Sequence, residues 1–582
     1  ESEGLKIRNQ KLNSGNTGKI NRLIEAEDDD YNLLVHKRRK LLVNCVTSYM
    51  FSLQFGDSQY DMARLISIWL ENNEVEQVVD KRVLSIPSWK FIPWMNQLSS
   101  RLGSKFSGGI LSTLGPSTLQ KIVLQACTDH PYHSVWQLIN IVQSNKSDAI
   151  DRQKAALSIL EALQLSRPEP IGIIREFAFK CIQQGHTISK TKKESSKTGA
   201  KASTCELKPT RWWTQTLPTL GMPVPTCTLP LQHDCDYSSS RIPYIVQVDP
   251  VCKIAGGVSA PIILRMKTSD GETKEMLLKG STRDDLRQDA IMQQVLLTVN
   301  RLLSKERKSN VRTYNVIPLG DTFGAIEFVS NTRSLMEILD PLHKKYGKSE
   351  YSRSYANALM GKNETNGRNV RIYVYKNIME HMKPQMRLFW MSSSTLEHYL
   401  NRQNTWCRSN GIMSIIGYIL GLGDRHCSNL LLDMSSGEVV HIDFGIAFGQ
   451  GRTLSIPETV PFRLTRDMVD GMGVQATNGV FLHAAKKTLA VMRAKKEMIM
   501  TVLEVLKLDT LYSWVIKPEK IQENIKAHPE VSDKDHAELA VRSVRSKLNH
   551  DLSCSAEVRE LVIQATDIEN LALIYRGWSP YY

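Results

Sequence analysis

The 582-residue chain lacks several features that would settle its class at once. No apolar run approaches the roughly 18 residues a membrane-spanning helix needs, so no membrane span is expected. No C-x-x-C pair and no paired Cys/His spacing occurs among its 10 cysteines. That argues against a zinc site or a disulfide framework, and for reduced thiols in the cytosol or nucleus. No secretory signal opens the chain; it starts at Glu1, and the expectation is a fragment of a longer protein. Acidic residues are the minority, 60 against 74 Lys and Arg, for a formal net charge of +14. Such a surplus can favour nucleic acid, an acidic membrane surface or an acidic partner. Here much of it sits in local runs, "HKRRK" from His36 to Lys40 and "SKTKKESSKTGAK" from Ser189 to Lys201, which read as solvated surface. With no recognition-helix or zinc pattern, direct sequence-specific binding of nucleic acid is not expected.

What is present is an ordinary globular composition, 41% hydrophobic and 23% charged, at a length that predicts several domains. Residues 1 to about 30 are polar and acidic near "EAEDDD" and are expected to be poorly ordered. From Lys37 to about Gly185, segments such as "DMARLISIWLENN" and "SVWQLINIVQS" space apolar residues three and four apart, which predicts helices stacked as an α-solenoid. Trp69, Trp89, Trp94 and Trp136 read as packing residues between them. The Lys/Ser/Thr-rich stretch 186–215 reads as a linker or long surface loop. Strand patterns follow in "YIVQVDP", "CKIAGGVSAPIILRMKTSDGETKEMLLKG" and "NVIPLGDTFGAIEFV", with an Asp-Gly hairpin turn in "SDGE". A helix from about Asp284 to Leu303 interrupts them, and helices dominate again from about Ser334.

The stretch "GLGDRHCSNLLLDMSSGEVVHIDFG", Gly421 to Gly445, carries the chemistry. "NLLLD" and "EVVHID" predict a hairpin that brings Asn429 and Asp443 side by side at its open end. Both offer hard oxygen ligands suited to Mg²⁺ shared with substrate phosphates. Asp424, five residues before Asn429, is placed to accept a proton from an attacking hydroxyl. A loop Asp or Asn taken alone more often caps a turn. Here the D-x-x-x-x-N spacing followed by Asp-Phe-Gly matches a kinase catalytic loop, although the order is Asp-Arg-His rather than His-Arg-Asp. Upstream, Lys279 ends the predicted strand "EMLLKG", and Asp289 or Asp284 on the following helical segment is the candidate acid to fix it. "AGGVSAP" offers the backbone N–H groups of Ala255, Gly256, Gly257, Val258 and Ser259 as a phosphate cover, a weak signal by itself because it is neither G-x-G-x-x-G nor a Walker sequence.

"LLKGSTRDDLRQD", "YNVIPL", "GYILGLGDRHCSN", "VVHIDFG" and "PETVPFRLTRDMVDGMG" together resemble the phosphatidylinositol 3-kinase-related protein kinases, and within them the ATM-type serine/threonine branch. The resemblance covers about Ile242 to the C-terminus. It implies an α+β, bilobal kinase-like domain preceded by a helical FAT segment and followed by a FATC tail. The boundaries so implied are 1–200 for the FAT end, 201–240 for a linker, 241–329 for the N-lobe, 330–516 for the C-lobe, 517–547 for a regulatory segment and 548–582 for FATC. By the same resemblance Asp424 is the catalytic base, His426 contacts the transferring phosphate, and Asn429 and Asp443 hold the metal. Lys279 contacts ATP phosphates near Asp284 and Asp289, Tyr314 lines the deep end of the nucleotide pocket, and Glu327, Phe328 and Val329 form the adenine hinge. It further implies ATP with Mg²⁺ or Mn²⁺, protein substrates carrying Ser/Thr-Gln, and DNA-damage and telomere signalling from the nucleus, with a cytoplasmic pool also allowed. A homodimer and a DNA-break sensor complex bound through the absent N-terminal region complete the expected partners. A lipid kinase or growth-signalling kinase of the same superfamily and an inactive scaffold are the alternatives. The segment 445–460 carries a single basic residue, Arg452, too little positive charge for a polyanionic lipid headgroup.

Overall fold

The computed structural model describes residues 17–103, 117–144, 150–198, 204–232, 237, 242–255, 260–280, 285–303, 310–321, 323–347, 350–508 and 533–582. Its first part is an arm of helices. Their starts are set by short polar side chains that take up free backbone N–H groups. Ser58 accepts from Asp61 at the head of Gln59–Glu71, and Ser117 and Gln120 form a reciprocal capping box at the head of Thr118–Asp129. Trp69, Trp94 and Trp136 are buried between these helices, while Trp89 is half-buried.

The "EAEDDD" run, expected to be poorly ordered, lies inside the helix Thr17–Phe55. Residues 1–16 fall outside the described residues. The "HKRRK" run is exposed on that same helix, and Arg38 pairs there with Glu74 at 2.9 Å.

The N-lobe is built on a sheet of seven strands: β1 (Thr204–Glu206), β2 (Ile245–Val248), β3 (Val251–Ile254), β4 (Ile262–Thr268), β5 (Thr273–Gly280), β6 (Val316–Pro318) and β7 (Phe323–Glu327). The hydrogen-bonded order is β1-β3-β4-β5-β7-β6, with β2 also on β4. The β4–β5 hairpin turns at Asp270-Gly271. Gly271 has φ +82°, and the Asp270 carboxylate accepts the Glu272 N–H at 3.1 Å.

The expected linker 201–240 needs correction. β1 pairs with β3 through Thr204↔Lys253, Cys205↔Cys252 and Glu206↔Val251, so the sheet already begins at Thr204. Leu207, Trp213, Met222 and Val224 are buried in the core behind it. A three-residue strand is too short to show a period, and polar flanks mask the two tryptophans. The stretch 186–215 is likewise not a simple loop, since the helix Pro168–Thr198 runs through its first half.

The helix Leu286–Leu303 packs beside β6 and joins the sheet to the rest of the molecule. Gln294 Nε2 donates to Pro93 O at 2.7 Å, and Gln97 Nε2 donates to Val502 O at 3.1 Å, so the arm grips both lobes. The C-lobe is organised by the long helix Leu396–Leu420, capped by Gly421 in the left-handed conformation and packed against Val480–Ala494. A three-stranded sheet of β8 (Thr332–Ser334), β9 (Leu430–Asp433) and β10 (Val439–His441) lies at the cleft, in the order β10-β9-β8.

Candidate active site

The β9–β10 hairpin sets the site. Its register, Val439↔Leu432, Val440↔Leu431 and His441↔Leu430, puts the next residues, Asn429 and Ile442, opposite each other at the open end. The Ile442 N–H donates to Asn429 O at 3.0 Å, and Asp443 follows directly. The sequence-derived hairpin is thus present, with Asn429 buried and the Asp443 carboxylate 42% exposed to the cleft. Lys279, near the end of β5, is buried, and its Nζ lies 3.9 Å from Asp443 Oδ2. The end of β5 in the N-lobe sheet and the mouth of the C-lobe hairpin therefore meet at one place.

Asp424 sits in the loop before the hairpin with φ +56°, in a region that L residues seldom occupy. Its two backbone polar groups are both engaged. The amide donates to Glu458 Oε1 at 2.6 Å, and the carbonyl accepts from Asn429 Nδ2 at 3.0 Å. The side chain is 45% exposed and lies 4.0 Å from His426 Nε2. Burial pushes the His426 imidazole below its usual titration range, against an upward pull from Asp424. The ring is therefore neutral near pH 7. The Ser428 N–H donates to its Nδ1 at 3.1 Å, which leaves the ring proton on Nε2, on the side of Asp424.

The acid on the N-lobe helix reaches the same place. Asp289 Oδ1 accepts the Phe444 N–H at 3.0 Å, and Gln288 Nε2 donates to the carbonyls of Phe444 at 2.7 Å and Gly445 at 3.2 Å. The Asp-Phe-Gly backbone is thereby held by that helix. Tyr314 is buried behind them, and its phenol is pushed well above the usual range, first by burial and then by the carboxylates of Asp289 and Asp443. Its backbone N–H donates to Gln293 Oε1 at 3.1 Å.

Glu327 ends β7, opposite Met276 of β5. Its carboxylate turns back to accept the Asn315 N–H at 2.9 Å, and burial raises its titration point. The Phe328 N–H donates to Glu275 O at 3.3 Å, and Val329 is buried where the strand leaves toward β8. Ala255 directly follows β3, its N–H donating to Pro261 O at 2.8 Å. Gly256, Gly257, Val258, Ser259 and Asp284 lie outside the described residues.

Sequence reasoning gave no role to three residues that hold the Asp424 loop. Arg425 is buried and donates from Nε to Gly423 O at 2.8 Å and from Nη1 to Ile442 O at 2.8 Å, with Nη2 on Asp443 O. Arg463 donates to Arg425 O at 3.3 Å and Cys427 Sγ at 2.9 Å. It also donates to the backbone carbonyls of Trp578 at 2.6 Å, Ser579 at 2.9 Å and Tyr582 at 3.0 Å, and lies 4.4 Å from the centre of the Trp578 ring. Glu458 is the third. Two of these lie in "PETVPFRLTRD", which drew notice as a motif, but nothing local in that string shows which backbone it reaches.

The chain's tail docks through those contacts. Tyr582 stacks on His343 at 4.6 Å and donates its hydroxyl to Asp340 Oδ1 at 2.9 Å. Tyr375 donates its hydroxyl to Pro580 O at 2.9 Å, and Thr459 donates to Asn570 O at 2.7 Å.

Among the described residues no cluster of three or more His, Cys, Asp or Glu offers a self-contained metal cage. The donor set does fit a hard cation shared with phosphate, which needs only one or two protein oxygens. Asn429 spends its amide nitrogen on Asp424 O, leaving its carbonyl oxygen as donor, and Asp443 is open to the cleft beside Lys279.

Comparison with known proteins agrees with this geometry. The family described as phosphatidylinositol 3- and 4-kinase matches residues 278–516, and the FATC domain matches residues 551–582. The serine/threonine-protein kinase tel1 of Neurospora crassa is 35% identical over 98% of this chain, which covers 20% of that protein. The Yarrowia lipolytica TEL1 is 36% identical over 93% of this chain and 24% of its own length. Saccharomyces cerevisiae TEL1 is 35% identical over 94% of this chain and 20% of its own length. The chain thus spans about a fifth to a quarter of these relatives. Among solved structures, the open conformation of CtTel1 superposes with a TM-score of 0.86 at 33% identity, covering all of this chain and 22% of that one. The FAT and kinase domain of CtTel1 gives 0.85 at 34% identity, covering all of this chain and 40% of that one. Residues 278–516 are thus similar to the phosphatidylinositol 3- and 4-kinases, residues 551–582 to the FATC domain, and nearly the whole chain to a part of the Tel1 serine/threonine-protein kinases.

Proposed function

We propose that this chain is the catalytic end of an ATP-dependent protein kinase that phosphorylates Ser or Thr followed by Gln. The observation that carries the reading is the meeting of Lys279, Asn429, Asp443 and Asp424 at one cleft, supplied by both lobes. In this reading Asp424 accepts the proton of the attacking hydroxyl, and the neutral His426 presents Nε2–H to the transferring phosphate. Lys279 sets positive charge against the nucleotide phosphates, and Asn429 and Asp443 would hold Mg²⁺, or Mn²⁺ in its place. When bound, the cation neutralises charge between the phosphates. Glu327, Phe328 and Val329 receive the adenine, with Tyr314 at the deep end. The backbone of 255–259 covers the phosphates, and Asp284 joins Asp289 near Lys279. Positioning and fixed charge supply most of the rate.

Homology to Tel1 proteins supports a role in DNA double-strand-break and telomere signalling, from a nuclear location. Solved Tel1 structures include a complete CtTel1 dimer with C2 symmetry, which supports a homodimer here too. A DNA-break sensor complex then binds outside this chain. A peptide acceptor is favoured over a phosphoinositide because segment 445–460 holds only Arg452 as a basic residue. The test is steady-state transfer from ATP to Ser-Gln and Ser-Ala peptides and to phosphoinositide vesicles. Turnover on the Ser-Gln peptide alone is expected; turnover on the vesicles alone would overturn the peptide assignment.

A further inference from the structure

Asp424 holds a backbone conformation that costs energy for a residue with a side chain, and such strain persists only where the surroundings enforce it. On one side the Asp424 carbonyl is held by Asn429, in the same loop. On the other its amide is held by Glu458, 34 residues further along and on the far limb of the segment that follows Asp-Phe-Gly. Glu458 is seated with care. Its own N–H donates to Gly451 O at 2.9 Å. Its carboxylate fills a notch that glycines leave open. A Cβ on Gly423 would come within 2.8 Å of Glu458 Oε2, and one on Gly451 within 2.3 Å. Burial, more than any other influence, raises the Glu458 titration point, while the hydrogen bond from Asp424 and the charge of Arg425 oppose it. A half-buried carboxylate in a glycine notch is a costly way to fill space, and Ala or Leu would fill it without desolvating a charge. Among the described residues, the group that its carboxylate accepts from is the Asp424 amide.

We infer that Glu458 is a positioning residue for phosphoryl transfer: it locks the Asp424 backbone so that the carboxylate faces the cleft, and only when residues 445–463 are in place. This rests on the reading of Asp424 as the base. It makes the correct path of that segment a condition for a correctly aimed base, with no contact between Glu458 and substrate. Arg463, five residues on, closes the same limb onto Arg425 O and Cys427 Sγ, so the limb holds the loop at two points.

Two variants in the full-length protein test this. Glu458→Gln keeps an oxygen that accepts the Asp424 N–H; Glu458→Met keeps the shape and removes the acceptor. A hydrogen bond to a charged group of this kind predicts a fall in kcat of roughly ten- to a hundredfold for the Met variant, with KM for ATP nearly unchanged. The Gln variant should stay within about threefold of wild type, as the acceptor is retained. Hydrogen exchange of the peptide spanning 421–429 should quicken in the Met variant and not in the Gln variant. Wild-type kcat and exchange in the Met variant, or equal losses in both variants with the fold intact, would overturn the inference. If the wild-type protein phosphorylates no peptide while the exchange pattern holds, the kinase reading fails and the hold of Glu458 on the loop stands.

Discussion

The two walls of the cleft are held in different ways. The Lys279 wall is a sheet: β5 lies between β4 and β7, in continuous antiparallel registers that run from Ile262↔Leu278 to Gly280↔Phe323. Each backbone bond there is local to a hairpin or to a neighbouring strand. The Asp424 wall has almost no such ladder. Its loop is held by side chains reaching backbone from afar: Arg425 to Ile442, Glu458 to Asp424, Arg463 to Arg425, and Arg463 again to the tail at Trp578, Ser579 and Tyr582. A sheet averages a defect over many bonds. A loop tied by single side chains concentrates it, because each lost partner leaves a backbone N–H or carbonyl unsatisfied at about 1–3 kcal/mol apiece. The Lys279 wall should thus tolerate change, and the Asp424 wall should fail sharply and depend on the tail.

The sharpest break of that contrast is at Asp424, the proposed base. Asp424→Asn is expected to lower kcat by about a hundred- to ten-thousandfold with little change in melting temperature, read by steady-state kinetics and thermal unfolding. Next comes Arg463→Ala, which strands several buried carbonyls on two segments at once. It should loosen the tail, with faster hydrogen exchange over residues 568–582 and a loss of roughly 3–5 kcal/mol in stability. Arg463→Lys should not rescue it, because an ammonium lacks the fork that reaches both segments. If Lys restores exchange protection, the tie is not the guanidinium.

The smallest effect concerns pH. Burial would lower the His343 titration point, but the hydrogen bond that its Nε2 donates to Asp467 Oδ2 at 3.1 Å and the charges of Asp467 and Glu350 outweigh it and raise it. Its stabilising contribution is complete below the usual histidine value of about 6.5 and fades as pH rises through the raised, folded-state value. Tyr582 stacks on this ring, so tail docking should weaken from about pH 6.5 upward. His343→Gln should flatten the melting temperature against pH; an unchanged slope would assign the dependence elsewhere.

The same contrast explains what could be read before any coordinates. The hairpin of Asn429 and Asp443 was legible because two β-type runs around "MSSG" fix their own register. Lys279 at a strand end and the helix Leu286–Leu303 followed from local periods. Arg425, Glu458 and Arg463 were not, because their partners lie 17, 34 and up to 119 residues away and no local pattern announces a side chain that binds distant backbone. The opening of the N-lobe at Thr204 was missed for a related reason: a three-residue strand borrows its register wholly from β3.

The most direct measurement is the rate of phosphate transfer to a Ser-Gln peptide across a Mg²⁺ titration, for wild type and Asp443→Ala. Removing the carboxylate proposed to hold the metal, an interaction worth several kcal/mol, predicts a loss of about a thousandfold or more at every Mg²⁺ concentration. Equal rates in the two proteins would contradict the account.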